Sequence, residues 1–228
     1  MPAPGLVIFD CDGVLVDSEI VAARVDAELI TAAGHPISAE EIAERYAGLT
    51  FRDILLAVEK ESATPLQASL IEEERRMLDR RLEKEIRAID GAAAAVAGTP
   101  YPRCICSNSS RARLDMMLGK TGLLPLFSGH IFSAVDTPGV QSKPAPDIFR
   151  HAAKEMGADP ERTFVLEDSV HGIHGAVAAG MRVIGFTGGG HSWPGHADKL
   201  TEAGAETVIN RLSDLNAVIG VLSEWRDA

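Results

Sequence analysis

Cysteine is scarce in this chain, and so are long apolar runs and positive charge. The three cysteines among 228 residues, Cys11, Cys104 and Cys106, are an odd number set inside apolar stretches. There a free thiol behaves as a small hydrophobe, and no disulfide framework is implied. The first apolar run, in MPAPGLVIFD, has no basic leader and breaks at Asp10. That is too early for a signal peptide or a spanning helix, so a cytoplasmic address away from membranes is expected. Lys+Arg 22 against Asp+Glu 33 leaves a net charge of −11. Such a balance repels phosphate backbones and anionic lipid, and no basic, aromatic-interleaved stripe offsets it locally, so nucleic acid is not expected as a partner. Low-complexity tracts and fixed-period repeats are also missing, which excludes a solenoid or a disordered chain.

What is present is an ordinary globular balance, 46% hydrophobic and 24% charged. The length suits one large domain or a domain with a smaller one inserted. LVIFD (6–10), RCICS (103–107), HIF (130–132), TFVLED (163–168), MRVIGF (181–186) and TVIN (207–210) are short β-rich runs without strict alternation. Strands buried on both faces read in this way. Between most of them lie helical stretches. RARLDMMLGKTG, DIFRHAAKEMG and VHGIHGAVAAG carry apolar residues at helical spacing and end at Gly122, Gly157 and Gly180, where a helix stops. The alternation predicts an α/β fold with an open parallel sheet and helices on both faces.

From about residue 17 to residue 88 the alternation lapses and only helical pattern remains. Val21, Val25 and Leu29 repeat every four residues, as do Leu78, Leu82 and Ile86, with Ile89 following, in a highly charged stretch. Ser38 and Thr50 have the character of N-caps before acid-rich turns. The pattern predicts a helical module at 17–88, inserted into a core made of residues 1–16 and 89–228. Its hinges are expected near Asp17 and near Asp90-Gly91; the alternative is a set of extra helices packed on the core.

In an open α/β sheet the ligand crevice lies outside the carboxyl ends of the strands. Polar residues following the apolar runs should therefore converge: Asp10 and Asp12; Ser107, Asn108 and Ser109; Lys143 in QSKPAPD; Glu167 and Asp168. Several carboxylates in one cleft do not all stay ionised without a cation, and an all-oxygen set suits Mg²⁺. Lys143 and the serine hydroxyls add donors for an anion. Carboxylates, a hard cation and a lysine are the equipment of phosphoryl transfer.

The segments DCDGVLVDS, CSNSS, SKPAPDIF and LEDSVHG, in that order, resemble the four motifs of the haloacid dehalogenase-like superfamily, and they span nearly the whole core. The helical insertion resembles the cap of the subclass containing β-phosphoglucomutase and small sugar-phosphate and phosphoglycolate phosphatases. The resemblance implies a Rossmann-like core with an inserted helical-bundle cap. It also implies Asp10 as nucleophile, forming an aspartyl phosphate, and Asp12 as general acid and base. Ser107 and the backbone at Asn108 would hold phosphoryl oxygens, and Lys143 would neutralise developing charge. Mg²⁺ would be held by Asp10, the backbone carbonyl of Asp12, Asp168 and Glu167, the last directly or through an intermediary. Gly13 would let the backbone turn closely around the phosphoryl group.

An aspartate at position 12 separates the chain from the dehalogenating relatives, which lack one there, and from the ion-pumping ATPases, which carry a threonine. The mutase carries a cap histidine and a cap lysine where this chain has Ala22 and Ala47, which favours a phosphatase over a phosphomutase. A non-catalytic protein that binds a phosphometabolite is the alternative of a different class. Arg45 and Arg52 flank Gly48 and are candidates for an anionic part of the substrate, unless they face solvent. Ser109 and Arg111 are candidates for its distal part. The surroundings of the motifs are similar to those of 6-phosphogluconate phosphatases, so a small phosphorylated sugar or sugar acid is the expected partner. A monomer or small homo-oligomer is the expected state.

Two other signals carry no chemistry of their own. His171, His174, His191 and His196 lack the tight spacing of a zinc site, although the stretch TGGGHSWPGH should border the cleft and touch the cap. Cys106 before SNSSR has four residues before the arginine where cysteine-based phosphatases have five, so burial in a strand is its expected role.

Overall fold

The structure is a computed structural model that describes residues 4–46, 49–62 and 66–224. Strands β1 (Leu6–Phe9), β2 (Arg103–Ser107), β3 (Ile131–Ser133), β4 (Thr163–Glu167), β5 (Arg182–Phe186) and β6 (Thr207–Ile209) form one sheet in the order β3-β2-β1-β4-β5-β6. All of its neighbouring strands pair in parallel. Successive residues of each central strand feed two different clusters. Val7, Phe9, Ile105, Phe164, Leu166 and Ile184 pack on one face, while Leu6, Ile8, Cys104, Cys106, Val165 and Val183 pack on the other. With apolar partners on both faces no polar alternation is needed, which is why the runs read as continuous.

The helices are α1 (Ser18–Ala32), α2 (Ala39–Arg45), α3 (Phe51–Ser62), α4 (Ser69–Glu85), α5 (Ala92–Gly98), α6 (Arg111–Lys120), α7 (Asp147–Glu155), α8 (Val170–Ala178), α9 (His196–Glu202) and α10 (Leu215–Glu224). The expected stops at Gly122, Gly157 and Gly180 all have positive φ. Helices α5, α9 and α10 were not anticipated from the sequence. In α5 the run AAAAVAG has no polar face to set a period, and in α9 only His196 and Leu200 are buried. β3 begins at Ile131, one residue later than expected.

Helices α1 to α4 form the helical insertion between β1 and β2, and they roof the carboxyl ends of the strands as a cap. Ser38 caps α2 through a reciprocal box with Glu41, and Thr50 Oγ1 accepts from the Asp53 N–H at 3.2 Å ahead of α3. α1 packs on α2 and α4, and an Arg81–Glu28 ion pair ties α4 to α1. The outgoing and returning connections run side by side: Asp17 N donates to Arg87 O at 3.0 Å and Ile89 N to Leu15 O at 3.0 Å. Apolar packing does not stop at this junction. Leu29, Ile54, Leu78 and Leu82 of the insertion belong to the same buried cluster as Phe9 and Phe127 of the core. Among the described residues no helix is long and apolar enough to cross a membrane.

Leu82 is 1% exposed within this shared cluster. Leu82→Ala should lower the unfolding free energy by about 2–5 kcal/mol, a lost side chain plus a residual cavity. Urea denaturation measures it, and a loss below about 0.5 kcal/mol, the size of a surface substitution, would contradict the continuity of cap and core.

Candidate active site

Strand order reverses between β1 and β4, and the residues that follow these two strands face each other across one crevice. Asp10 N donates to Leu166 O at 3.0 Å, so the ladder carries the nucleophile candidate one residue beyond β1. From the loop ahead of α7, Lys143 Nζ donates to Asp10 Oδ1 at 2.5 Å and to Glu167 Oε1 at 2.7 Å. Asn108 fixes that loop: its Oδ1 accepts from Lys143 N at 2.9 Å, and its Nδ2 donates to Lys143 O at 3.3 Å. Glu167 Oε2 accepts from the N–H and hydroxyl of Ser169 at 2.9 and 3.0 Å.

Asp12 turns away from this group. Its Oδ1 accepts from Ser18 Oγ at 2.7 Å, and its Oδ2 from Ser107 Oγ at 3.1 Å and Ser109 Oγ at 2.9 Å. Its carboxyl thus lies beside the serine hydroxyls, apart from the oxygens that gather around Lys143. Among the described residues, carboxylate oxygens of Asp10, Glu167 and Asp168 lie within 4.8 Å of one another. Burial, first of all, drives the Asp10 carboxyl well above the usual carboxylate range; Lys143 opposes this, and Glu167, Asp168 and Asp12 reinforce it. Asp168 is raised likewise by burial and then by Glu167. Burial pulls the Lys143 ammonium down, but Asp10 and Glu167 outweigh it and the net shift is upward. One ammonium does not balance these acids, and three buried oxygen donors in close array fit a hard divalent cation.

Two glycines make room for the acids. Gly13 has φ +76°, and a Cβ there would lie 1.9 Å from Asp168 Oδ2. At Gly172, in the first turn of α8, a Cβ would lie 1.7 Å from Glu167 Oε1. The close approach at Gly13 is thus to a carboxylate that the sequence placed elsewhere in the same site.

Asp10, Asp12, Ser107, Asn108, Ser109, Lys143, Glu167 and Asp168 all line one cavity of about 830 Å³ between core and cap. Arg45, Arg52 and Arg111 do not line it. Arg45 pairs with Glu61 at 2.6 Å beside a separate, smaller cavity, Arg52 is exposed in the first turn of α3, and Arg111 pairs with Asp115 at 2.8 Å. Gly48 and Ala47 lie outside the described residues. Among the described residues, the arginines of the cavity wall are Arg75 of α4 and Arg113 of α6, the latter paired with Asp79 at 2.7 Å. The cysteines are free and buried, with Cys106 fully inside β2.

The loop 187–196 is built onto the site. His191 Nε2 lies 2.9 Å from Asp168 Oδ2, His196 Nε2 lies 2.8 Å from Asp168 O, and Trp193 stacks on His196 with ring centroids 4.0 Å apart. Gly190 N donates to Asp17 Oδ1 at 2.9 Å, where the chain leaves for the cap. Burial lowers both imidazoles, opposed at His191 by Glu19 and Asp17 and at His196 by the Asp168 backbone; the Asp168 carbonyl can only accept, so His196 Nε2 donates there. The sequence marked this loop as bordering the cleft, but not its attachment to Asp168. Nor did it single out Ser18, Glu19 or Asp26, which line the same cavity from α1. The helical spacing of Ser18, Glu19, Ala22 and Asp26 along α1 carries that signal. Burial raises Glu19 to about 7, with Asp168 and Asp12 adding to it. Asp26 is raised to about 8 by burial, then by Glu74 and Glu19.

A family model for haloacid dehalogenase-like hydrolase matches residues 4–180. The chain is 33% identical to the 6-phosphogluconate phosphatase of Escherichia coli over 86% of its own length and 88% of that protein's. A conserved haloacid dehalogenase-like protein of unknown function from Agrobacterium tumefaciens superposes with a TM-score of 0.94 at 58% identity, covering 98% of this chain and 100% of that one. A haloacid dehalogenase-family hydrolase from Deinococcus radiodurans, solved with bound phosphate and sodium, superposes with a TM-score of 0.81 at 32% identity over the whole of both chains.

Asp26 supplies a pH test of this electrostatic picture. A carboxyl whose pKa rises on folding destabilises the native state increasingly as pH climbs from the unfolded value toward about 8, because the unfolded chain releases its proton first. Asp26→Asn removes that penalty. The variant's stability gain should therefore widen from pH 5 to pH 8, by at most ~1.4 kcal/mol per pH unit. Urea unfolding at the two pH values decides it; a gain independent of pH would contradict the shift.

Proposed function

The chain belongs to the haloacid dehalogenase-like hydrolases, and we propose that it is a Mg²⁺-dependent phosphatase of small sugar or sugar-acid phosphates, working through an aspartyl phosphate on Asp10. The observation that carries this reading is the division of labour between two aspartates on one short loop. Asp10 is buried against Lys143, while Asp12 faces the serine hydroxyls of the same cavity.

In the first step a carboxylate oxygen of Asp10 attacks phosphorus, the bond to the ester oxygen breaks, and Asp12 gives its proton to the leaving alcohol. In the second, Asp12 takes a proton from water as that water attacks phosphorus. The bond to Asp10 breaks, inorganic phosphate leaves, and both aspartates are restored. Ser107 and the backbone at Asn108 are the proposed donors to phosphoryl oxygens, and Lys143 holds Asp10 in place while opposing the charge that develops beside it. Asp10, Glu167, Asp168 and the Asp12 carbonyl are the proposed Mg²⁺ ligands; the bound cation would neutralise phosphoryl charge and lower the repulsion among these acids.

Ala22 lines the cavity without a group for proton transfer, and this supports hydrolysis over a mutase's return of the phosphoryl group to a sugar. The E. coli relative is named for 6-phosphogluconate, which makes that ester the first sugar acid to test; Arg75 and Arg113 are the cations its carboxylate would meet.

Asp10→Asn should lower phosphate release from p-nitrophenyl phosphate in Mg²⁺ by roughly 1,000-fold or more, about 4 kcal/mol of barrier, and chelation should silence the wild type. Near-normal turnover by the variant would sink the mechanism. His191→Ala, which removes the imidazole lying against Asp168, should raise the Mg²⁺ concentration for half-maximal rate by about 10–100-fold. An unchanged Mg²⁺ titration would remove His191 from any positioning role.

A further inference from the structure

The face of α1 that lines the cavity carries Glu19, Ala22, Ala23 and Asp26, positions that stack on one side of a helix. The two alanines recess the wall between Glu19, near the reacting acids, and Asp26, two turns or about 10 Å deeper in the cap. Asp26 is 6% exposed, and its Oδ1 has no hydrogen-bond partner among the described residues. Folded proteins satisfy buried polar atoms almost everywhere. The charges that act on Asp26 from α4 and from its own helix are acids, Glu74 and Glu19, so among the described residues no base accounts for a carboxyl at this place. Ile42, Ile54 and Leu78 stand in the same cavity wall from α2, α3 and α4. A buried carboxyl set among apolar side chains matches the hydroxyl edges and C–H faces of a sugar chain.

We propose that Asp26 is a specificity residue that binds hydroxyl groups on the part of the substrate distal to its phosphate, selecting polyhydroxylated phosphate esters over esters with a bare tail. The orientation, with phosphate at Asp10 and tail toward the cap, rests on the phosphatase reading. With its pKa raised to about 8, the Asp26 carboxyl keeps its proton near neutrality and can both donate and accept. Glu19, raised to about 7, flanks the same recess nearer the phosphate end.

The test reads binding without turnover. Asp10→Asn, with and without Asp26→Ala, is titrated calorimetrically in Mg²⁺ with glucitol 6-phosphate and with phenyl phosphate. Asp26→Ala should weaken glucitol 6-phosphate at least ~10-fold more than phenyl phosphate, and Asp26→Asn, which keeps a donor and an acceptor, should fall between. Equal weakening of both probes, no weakening, or no binding of glucitol 6-phosphate to the Asp10→Asn parent would each overturn the proposal. Absence of phosphate release by the intact enzyme would defeat the phosphatase reading instead, and a differential binding result would stand apart from it.

Discussion

Carboxylates at the ends of β1 and β4 repel one another, and the ammonium buried among them is that of Lys143, bonded to Asp10 and Glu167 at once. Other features of the site depend on this balance. A lysine with so little exposure is tolerated only because its charge is paired on two sides. Its backbone is in turn clamped by the Asn108 side chain, which links the loop ahead of α7 to the end of β2. Even so, Asp10 and Asp168 remain raised by burial and mutual repulsion. The protein therefore carries an electrostatic deficit that a divalent cation would fill.

The parallel sheet brings these groups together without any local sequence relation among them. Each strand ends on the same side, so residues at 10, 107 and 167 become neighbours once the order β2-β1-β4 is set. Steric permission comes from Gly13 and Gly172, which stand where a side chain would occupy the space of a carboxylate. The cap adds the remaining walls and shares the core's buried cluster. One loop, 187–196, touches both Asp168 and Asp17, so a proposed cation ligand and the start of the cap are held by the same few residues.

Most of the fold and the acids gathered at the candidate site were legible in the sequence because both follow short-range rules. Strands buried on both faces give unbroken apolar runs, and acids placed directly after such runs have few purposes in a core. The same rules say little about long side chains on an inserted module. Arg45, Arg52 and Arg111 were sensible anion candidates by spacing, yet Arg45 and Arg111 meet Glu61 and Asp115 instead of the cavity. His191 and His196 were visible as histidines, but their link to Asp168 depends on how a glycine-rich loop folds back across Gly13. Asp26 looked like one more charge on a helix, and only tertiary packing of α1 against α2 and α4 buries it. Helices α5 and α9 escaped because an alanine run and a largely exposed segment carry no amphipathic period, whereas α10 does carry one, at Leu215, Val218, Ile219 and Leu222, in a run too short to stand out from the strands before it.

The central claim is that Asp10 becomes covalently phosphorylated, and chemical trapping tests it most directly. The wild-type enzyme is mixed with a phosphate ester in Mg²⁺, quenched in acid and reduced with borohydride, which converts an aspartyl phosphate to homoserine. Peptide mass spectrometry then locates the change. The account predicts homoserine at position 10, dependent on both ester and Mg²⁺. Turnover of the ester with no reduction at Asp10, or with reduction at another residue, would contradict it.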